Sequence, residues 1–102
     1  MRVVAKIGTS SITDRSGAID HAAIGKLTGE IAALRSVGHE VLVVSSGAVA
    51  AGVAALGFES RPSDILTLQA VSAVGQSRIM RVYNDDLASF GLVGAQVLLD
   101  PH

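Results

Sequence analysis

The sequence has no cysteine. That excludes disulfide staples, thiol catalysis and zinc–thiolate sites, and it is compatible with a reducing cytoplasm. Aromatic residues make up only 3% of the 102 residues, so the core has to be built from Val, Ile, Leu and Ala. Charge of one sign is lacking too. The formal net charge is -1, with no basic patch of the kind that recruits nucleic acid or an anionic membrane surface. No apolar run approaches the roughly 20 residues that span a bilayer. The first residues do not read as a signal peptide, because Arg2 leads into a short strand-like run and then Lys6 and polar residues. The three His residues, at 21, 39 and 102, have no metal-ligand spacing, and neither do Asp14, Asp20, Asp85 and Asp86.

What is present is an alternation of apolar runs and amphipathic segments. Val3 to Ile7 reads as a first strand, and Gly8 to Gly17 as a polar loop. Asp20 is placed to cap a helix to about Val37, with Ile24, Leu27, Ile31 and Leu34 as its buried stripe and Gly38 as its stop. Val41 to Val44 reads as a second strand, parallel to the first through a βαβ crossover. Ser45 or Ser46 is expected to cap a helix from Gly47 to about Leu56, which Gly57 ends. Phe58 to Pro62 is a connector. Ser63 or Asp64 then caps a long helix from Ile65 to about Tyr83, with a core side of Ile65, Leu68, Val71, Ile79 and Val82. Asp85 and Asp86 oppose the dipole of a helix C-terminus, so a break is expected at Asn84, with a last short helix to Phe90. Gly91 turns the chain into a third strand, Leu92 to Leu99, which Pro101 does not continue. The order β-α-β-α-α-β predicts an α/β fold, a three-layer α-β-α sandwich on a mainly parallel sheet. A sheet ending on a strand that lacks its covering helix reads as the N-terminal portion, residues 1–102, of a larger domain.

Two strand-to-loop junctions concentrate the chemistry. Ligands of parallel α/β sheets bind outside the carboxyl ends of the strands. Lys6 stands near the end of a strand read as buried, where its ammonium either serves the crevice by neutralising phosphoryl oxygens or merely marks an edge position or a structural ion pair. Gly8, Thr9, Ser10 and Ser11 can turn N–H groups and hydroxyls toward an anion, or can be simply a polar loop. Neither GxxxxGK[ST] nor GxGxxG is present. At the second junction, Ser46-Gly47-Ala48 turns a strand directly into a helix, whose free N–H groups and dipole favour an anion. Ser46 can bind a carboxylate or merely cap the helix, and Gly47 lets a ligand approach the backbone. A hydrolase nucleophile is disfavoured, because the motif is not GxSxG. Gln69, Gln76, Ser77 and Arg78 read as a solvated or subunit-facing side of the long helix, and Gly52, Gly57 and Gly75 as close-packing or capping glycines rather than ligand contacts.

On Val4-Ala5-Lys6-Ile7-Gly8-Thr9-Ser10-Ser11, Ser45-Ser46-Gly47-Ala48-Val49-Ala50-Ala51-Gly52 and Ala73-Val74-Gly75-Gln76, the chain resembles the amino-acid kinase family, in its glutamate-phosphorylating branch. The resemblance covers essentially the whole chain. It implies a cytoplasmic phosphotransferase with a carboxyl acceptor, in which ATP phosphorylates the side chain of L-glutamate to glutamyl 5-phosphate, the first step of proline biosynthesis. It assigns Lys6 to catalysis and the ATP phosphates, Gly8, Thr9 and Ser10 to the phosphate loop, and Ser46, Gly47 and Ala48 to glutamate. Mg²⁺ accompanies ATP, with no metal ligand named in this chain. A homo-oligomer and proline as feedback inhibitor are further implications. Residues that complete the glutamate and adenine sites in the family lie beyond this sequence, so the isolated chain is expected to be inactive. Two alternatives stand beside this expectation: a relative acting on another carboxylate or a phosphate monoester, and a non-catalytic anion-binding or assembly fragment.

Overall fold

The computed structural model describes residues 1–96. Two parallel strands, β1 (Arg2–Ile7) and β2 (Glu40–Ser45), pair in register from Arg2 opposite Glu40 to Ile7 opposite Ser45. Four helices complete the order: α1 (Thr9–Ile12) and α2 (His21–Ser36) between the strands, then α3 (Ala48–Leu56) and α4 (Ile65–Ala88).

Both strands alternate between exposed and half-buried residues. Because side chains on a strand point to opposite faces in turn, one face of the sheet is covered and the other is open. The covered face presents Ile7 to the core, and the open face carries Arg2, Val4 and Lys6 beside Glu40, Leu42 and Val44. Val4, Leu42 and Val44 are 59%, 48% and 47% exposed on it. The described residues thus form an α/β unit with a two-stranded sheet, helical on one side.

Helix ends follow local chemistry. The Asp20 carboxylate accepts a hydrogen bond from the Ala23 N–H at 3.0 Å and starts α2 as expected. Gly38, at φ +89°, closes it. Asp64 starts α4 by accepting from the Thr67 N–H at 2.9 Å and the Thr67 hydroxyl at 2.8 Å. These bonds hold its carboxyl below the ordinary aspartate value. At α3 the expectation of a serine cap is corrected. The N-cap is Gly47, without any side-chain cap. Its φ of +112° puts it in a region that L side chains rarely adopt, and the adjacent Ser46 hydroxyl is engaged elsewhere.

The long helix also departs from expectation. α4 runs unbroken through Asn84 to Ala88. Val71, Gly75, Ile79, Tyr83 and Leu87 recur every four residues and are all buried, so packing of this stripe overrides the poor placement of Asp85 and Asp86. Asn84 acts later instead, its side-chain oxygen accepting from the Gly94 N–H at 3.1 Å. Ile65, expected in the core, is 69% exposed, while Leu68 and Val82 are half-buried. Of the expected third strand, Leu92 to Gln96 take no strand conformation, and Val97 to Leu99 lie outside the described residues.

The core is aliphatic as the composition requires. Ile12, Ile24, Ala51 and Ile79 join Tyr83, with Ile7, Ile19, Leu27 and Val82 packed around them. Each such isoleucine contributes about 1.5–3 kcal/mol by burial. Thr28 on α2 is fully buried, its hydroxyl donating to the Gly25 carbonyl at 3.0 Å.

Candidate anion-binding junction

The first junction begins where β1 stops. Gly8 is extended, at φ -79° and ψ 163°, so its backbone does not call for glycine. A Cβ there would meet nothing within 4 Å. The tight turn expected at Gly8 is therefore not what selects it, whereas the open space above it remains available to a ligand. The sequence predicts a loop from Gly8 to Gly17, but Thr9–Ile12 wind into the single turn of α1. Its geometry is pinned from below. Ile12 is 1% exposed, and the Thr13 hydroxyl and N–H both donate to the Thr9 carbonyl, at 2.8 and 3.1 Å.

The second junction is tied to the first. The Ser46 N–H donates to the Ile7 carbonyl at 3.2 Å, adding one rung beyond the strands. The Thr9 hydroxyl donates to the Ser46 hydroxyl oxygen at 3.1 Å. Gly47 is buried against the Ile12 side chain and the Thr9 Cα, where an added Cβ would sit 3.4 and 3.7 Å away. Gly47 therefore serves the junction through its backbone angle and its packing. Beyond it, the N–H groups of Ala48, Val49 and Ala50 form the first turn of α3, where no intrahelical acceptor exists. The Ala51 N–H is the first to find one, on the Gly47 carbonyl at 2.9 Å.

Of the expected residues, Gly8, Thr9 and Ser10 thus sit beside Ser46, Gly47 and Ala48. Lys6 stands on the adjoining open sheet face, opposite Val44 and one register pair before the strands end. The strand is open on that side, so its ammonium is exposed rather than buried. Lys6 forms no ion pair with any described residue. Among the described residues the ion pair found joins Arg2 and Glu40 at 3.2 Å, both exposed.

An open groove of about 740 Å³ adjoins the junction, lined by Thr9, Ser10, Thr13, Asp14, Arg15, Gly17 and Ala50. Its outer wall is a tight loop in which Thr13 and Ile19 form an antiparallel bridge. The Asp14 carboxylate accepts from the Ser16 hydroxyl at 2.6 Å, the Ser16 N–H at 2.8 Å and the Ala18 N–H at 3.1 Å. These bonds, led by the Ser16 hydroxyl, lower its carboxyl from the ordinary value. Arg15 and Thr13 were not singled out from the sequence; only the folding of this loop against α3 brings them to the groove. Among the described residues no group of three His, Cys, Asp or Glu side chains converges as a metal site, and no helix is long and apolar enough to cross a membrane.

A parallel α/β unit whose polar strand ends meet at an open helix N-terminus presents free hydrogen-bond donors suited to an anion. The model of the amino acid kinase family matches residues 1–101, and the chain belongs to that family. Its similarity to curated relatives is more specific. It is 51% identical over 98 residues to a glutamate 5-kinase of Neisseria meningitidis serogroup C, 50% to one of Pelobacter propionicus and 47% to one of Bacillus cereus. Each match covers 96% of this chain and 26 or 27% of the relative. The chain therefore spans about a quarter of the length of these curated relatives.

Proposed function

We propose that this chain is the N-terminal portion of a glutamate 5-kinase, the part that brings its glutamate and phosphate loops together. A γ-carboxylate oxygen of L-glutamate attacks the γ-phosphorus of ATP. The bond to the β,γ-bridging oxygen breaks, ADP leaves, and glutamyl 5-phosphate forms. The carboxylate is already a nucleophile, so no strong base is needed, and catalysis rests on positioning and charge neutralisation. Lys6 neutralises the phosphoryl oxygens. The N–H groups around Gly8, Thr9 and Ser10 cradle the phosphates, and the open space over Gly8 admits them. Ser46 and the N–H groups beginning at Ala48 hold glutamate, with Gly47 setting the turn between them.

The observation that carries this reading is the hydroxyl contact from Thr9 to Ser46, which makes two distant loops one polar surface at an open helix N-terminus. Family membership and the names of the relatives support it independently. Mg²⁺ enters with ATP and supplies charge neutralisation on the phosphates. Among the described residues no group of three His, Cys, Asp or Glu side chains converges to hold it. In this reading the remainder of a three-layer kinase domain covers the open sheet face, the enzyme is a cytoplasmic homo-oligomer, and proline is its feedback inhibitor.

The test is a coupled assay of ADP release on the protein as its own gene expresses it. Release that depends on glutamate, and is not supported by aspartate or acetylglutamate, is the expected result. A folded protein that releases no ADP with glutamate would move the assignment to an anion-binding or assembly role.

A further inference from the structure

α3 and α4 pack backbone to backbone beside the Ser46–Ala48 junction. A Cβ at Gly75 would collide with the Ala48 carbonyl oxygen, and would stand 2.7 Å from the Gly52 nitrogen. A Cβ at Gly52 would collide with the Val71 carbonyl oxygen and stand 2.8 Å from its carbon. Ala48 and Gly52 are one turn apart on α3, as Val71 and Gly75 are on α4. The two helices thus run antiparallel in backbone contact, closer than side chains ordinarily permit. The obstructing atoms are main-chain atoms, so no rotamer change can make room. One helix has to move.

We infer that Gly75 is a positioning residue for the carboxylate-binding junction, acting through the Ala48 carbonyl. Ala48 is the first residue of α3, and its N–H belongs to the open first turn. It follows Gly47, which is wedged against Ile12, and Ser46, which holds the Thr9 hydroxyl. A side chain at Gly75 pushes on this start of the helix and displaces the N–H donors relative to the Thr9–Ser46 pair. Gly52 acts on the same seam one turn further from the ligand. A displacement of about 1 Å suffices to cost about 100-fold in a positioned site. The inference rests on the junction binding glutamate, as proposed above.

The experiment compares Gly75→Ala and Gly52→Ala with the unaltered protein as its own gene expresses it. Glutamate KM, ATP KM and Tm are measured for each. The expected result is a glutamate KM raised at least about tenfold in Gly75→Ala, less in Gly52→Ala, with ATP KM within about twofold in both. A lowered Tm with unchanged glutamate KM in the folded variants would reduce both glycines to packing and overturn the inference. Should either variant fail to fold, hydrogen exchange of the unaltered protein decides. Glutamate added without nucleotide is expected to slow exchange at Ala48–Ala51 and at Val71–Gln76 together. Slowing of the first segment alone would overturn the coupling. An unaltered protein without glutamate-dependent ADP release would instead sink the kinase reading itself, which separates the two failures.

Discussion

The Thr9 hydroxyl donates a hydrogen bond to the Ser46 hydroxyl oxygen at 3.1 Å, across 37 residues of sequence. This contact commits the Thr9 hydroxyl to orienting Ser46, so in the proposed reading it is the backbone around Thr9 that serves phosphate. Ser46→Ala is therefore expected to raise glutamate KM about 10- to 100-fold, the range of a hydrogen bond to a charged group. Thr9→Val, which keeps the shape and removes the hydroxyl, is expected to raise glutamate KM by less and leave ATP KM nearly unchanged. In the Ser46→Ala background the Thr9→Val change should add nothing to glutamate KM, because its target is gone. Steady-state kinetics on the four proteins of this cycle checks the point. Additive effects would mean that Thr9 reaches the substrate by itself.

Lys6 offers a separation of activity from stability. Its side chain is exposed on the open face of the sheet and takes part in no ion pair among the described residues. Lys6→Ala should thus leave folding stability within about 0.5 kcal/mol, as surface changes do. If the ammonium stabilises the transferring phosphoryl group, kcat falls about 100- to 1,000-fold, the cost of losing one such electrostatic contact. Denaturant melts and kcat measured on the same preparation test both halves. A large stability loss with modest kinetic change would make Lys6 a structural residue.

The open sheet face makes a prediction about the 102-residue polypeptide produced by itself. Val4, Leu42 and Val44 lie side by side on it, and both strands present unpaired edges among the described residues. Exposed apolar strands with free edges associate. Light scattering over a concentration series should show self-association and no kinase activity. The triple change Val4→Thr, Leu42→Lys, Val44→Thr should shift the polypeptide toward monomer. A monomer that melts cooperatively without those changes would show that the face needs no cover.

Much of this arrangement is legible in the sequence where a local signal suffices. Asp20 and Asp64 cap their helices, Gly38 and Gly57 end theirs, and the β-branched runs at Val3 and Val41 form the parallel pair. Where the deciding contact is tertiary, sequence reasoning goes astray. Ser46 looks like a cap because nothing local reveals that Thr9 occupies its hydroxyl. α1 is too short for periodicity to show, and it is anchored by the burial of its own last residue, Ile12. Asn84 looks like a break until Tyr83 and Leu87 are seen to continue the buried stripe on both sides of it. The one-sided burial of the sheet is hard to read because valine occupies both faces, Val3, Val41 and Val43 on the covered one and Val4 and Val44 on the open one. The proposed site residues are suggested by motif, whereas Arg15 lines the groove from a loop closed by the Thr13–Ile19 bridge and folded against α3, which carries no sequence signature.

Tyr83 supplies the last test, and its sign can be worked out in advance. It is 7% exposed within the Ile12, Ile24 and Ile79 cluster, and its hydroxyl has no hydrogen-bond partner among the described residues. An unpaired buried hydroxyl carries a desolvation cost, so Tyr83→Phe is expected to stabilise the fold by about 1 kcal/mol. Burial also raises the phenol above its ordinary value of 10.0. The folded state then keeps its proton where the unfolded chain releases it. The contribution of Tyr83 is therefore fully present below pH 10.0 and is lost as pH climbs from there through the raised folded value. Urea melts of both proteins at about pH 8 and about pH 11 isolate this residue, since other alkaline titrations cancel in the difference. The advantage of the Phe variant should widen at the higher pH. A Phe variant less stable at both would mean that the hydroxyl has found a partner in solution, such as a buried water, and that the core is wetter around Tyr83 than its packing indicates.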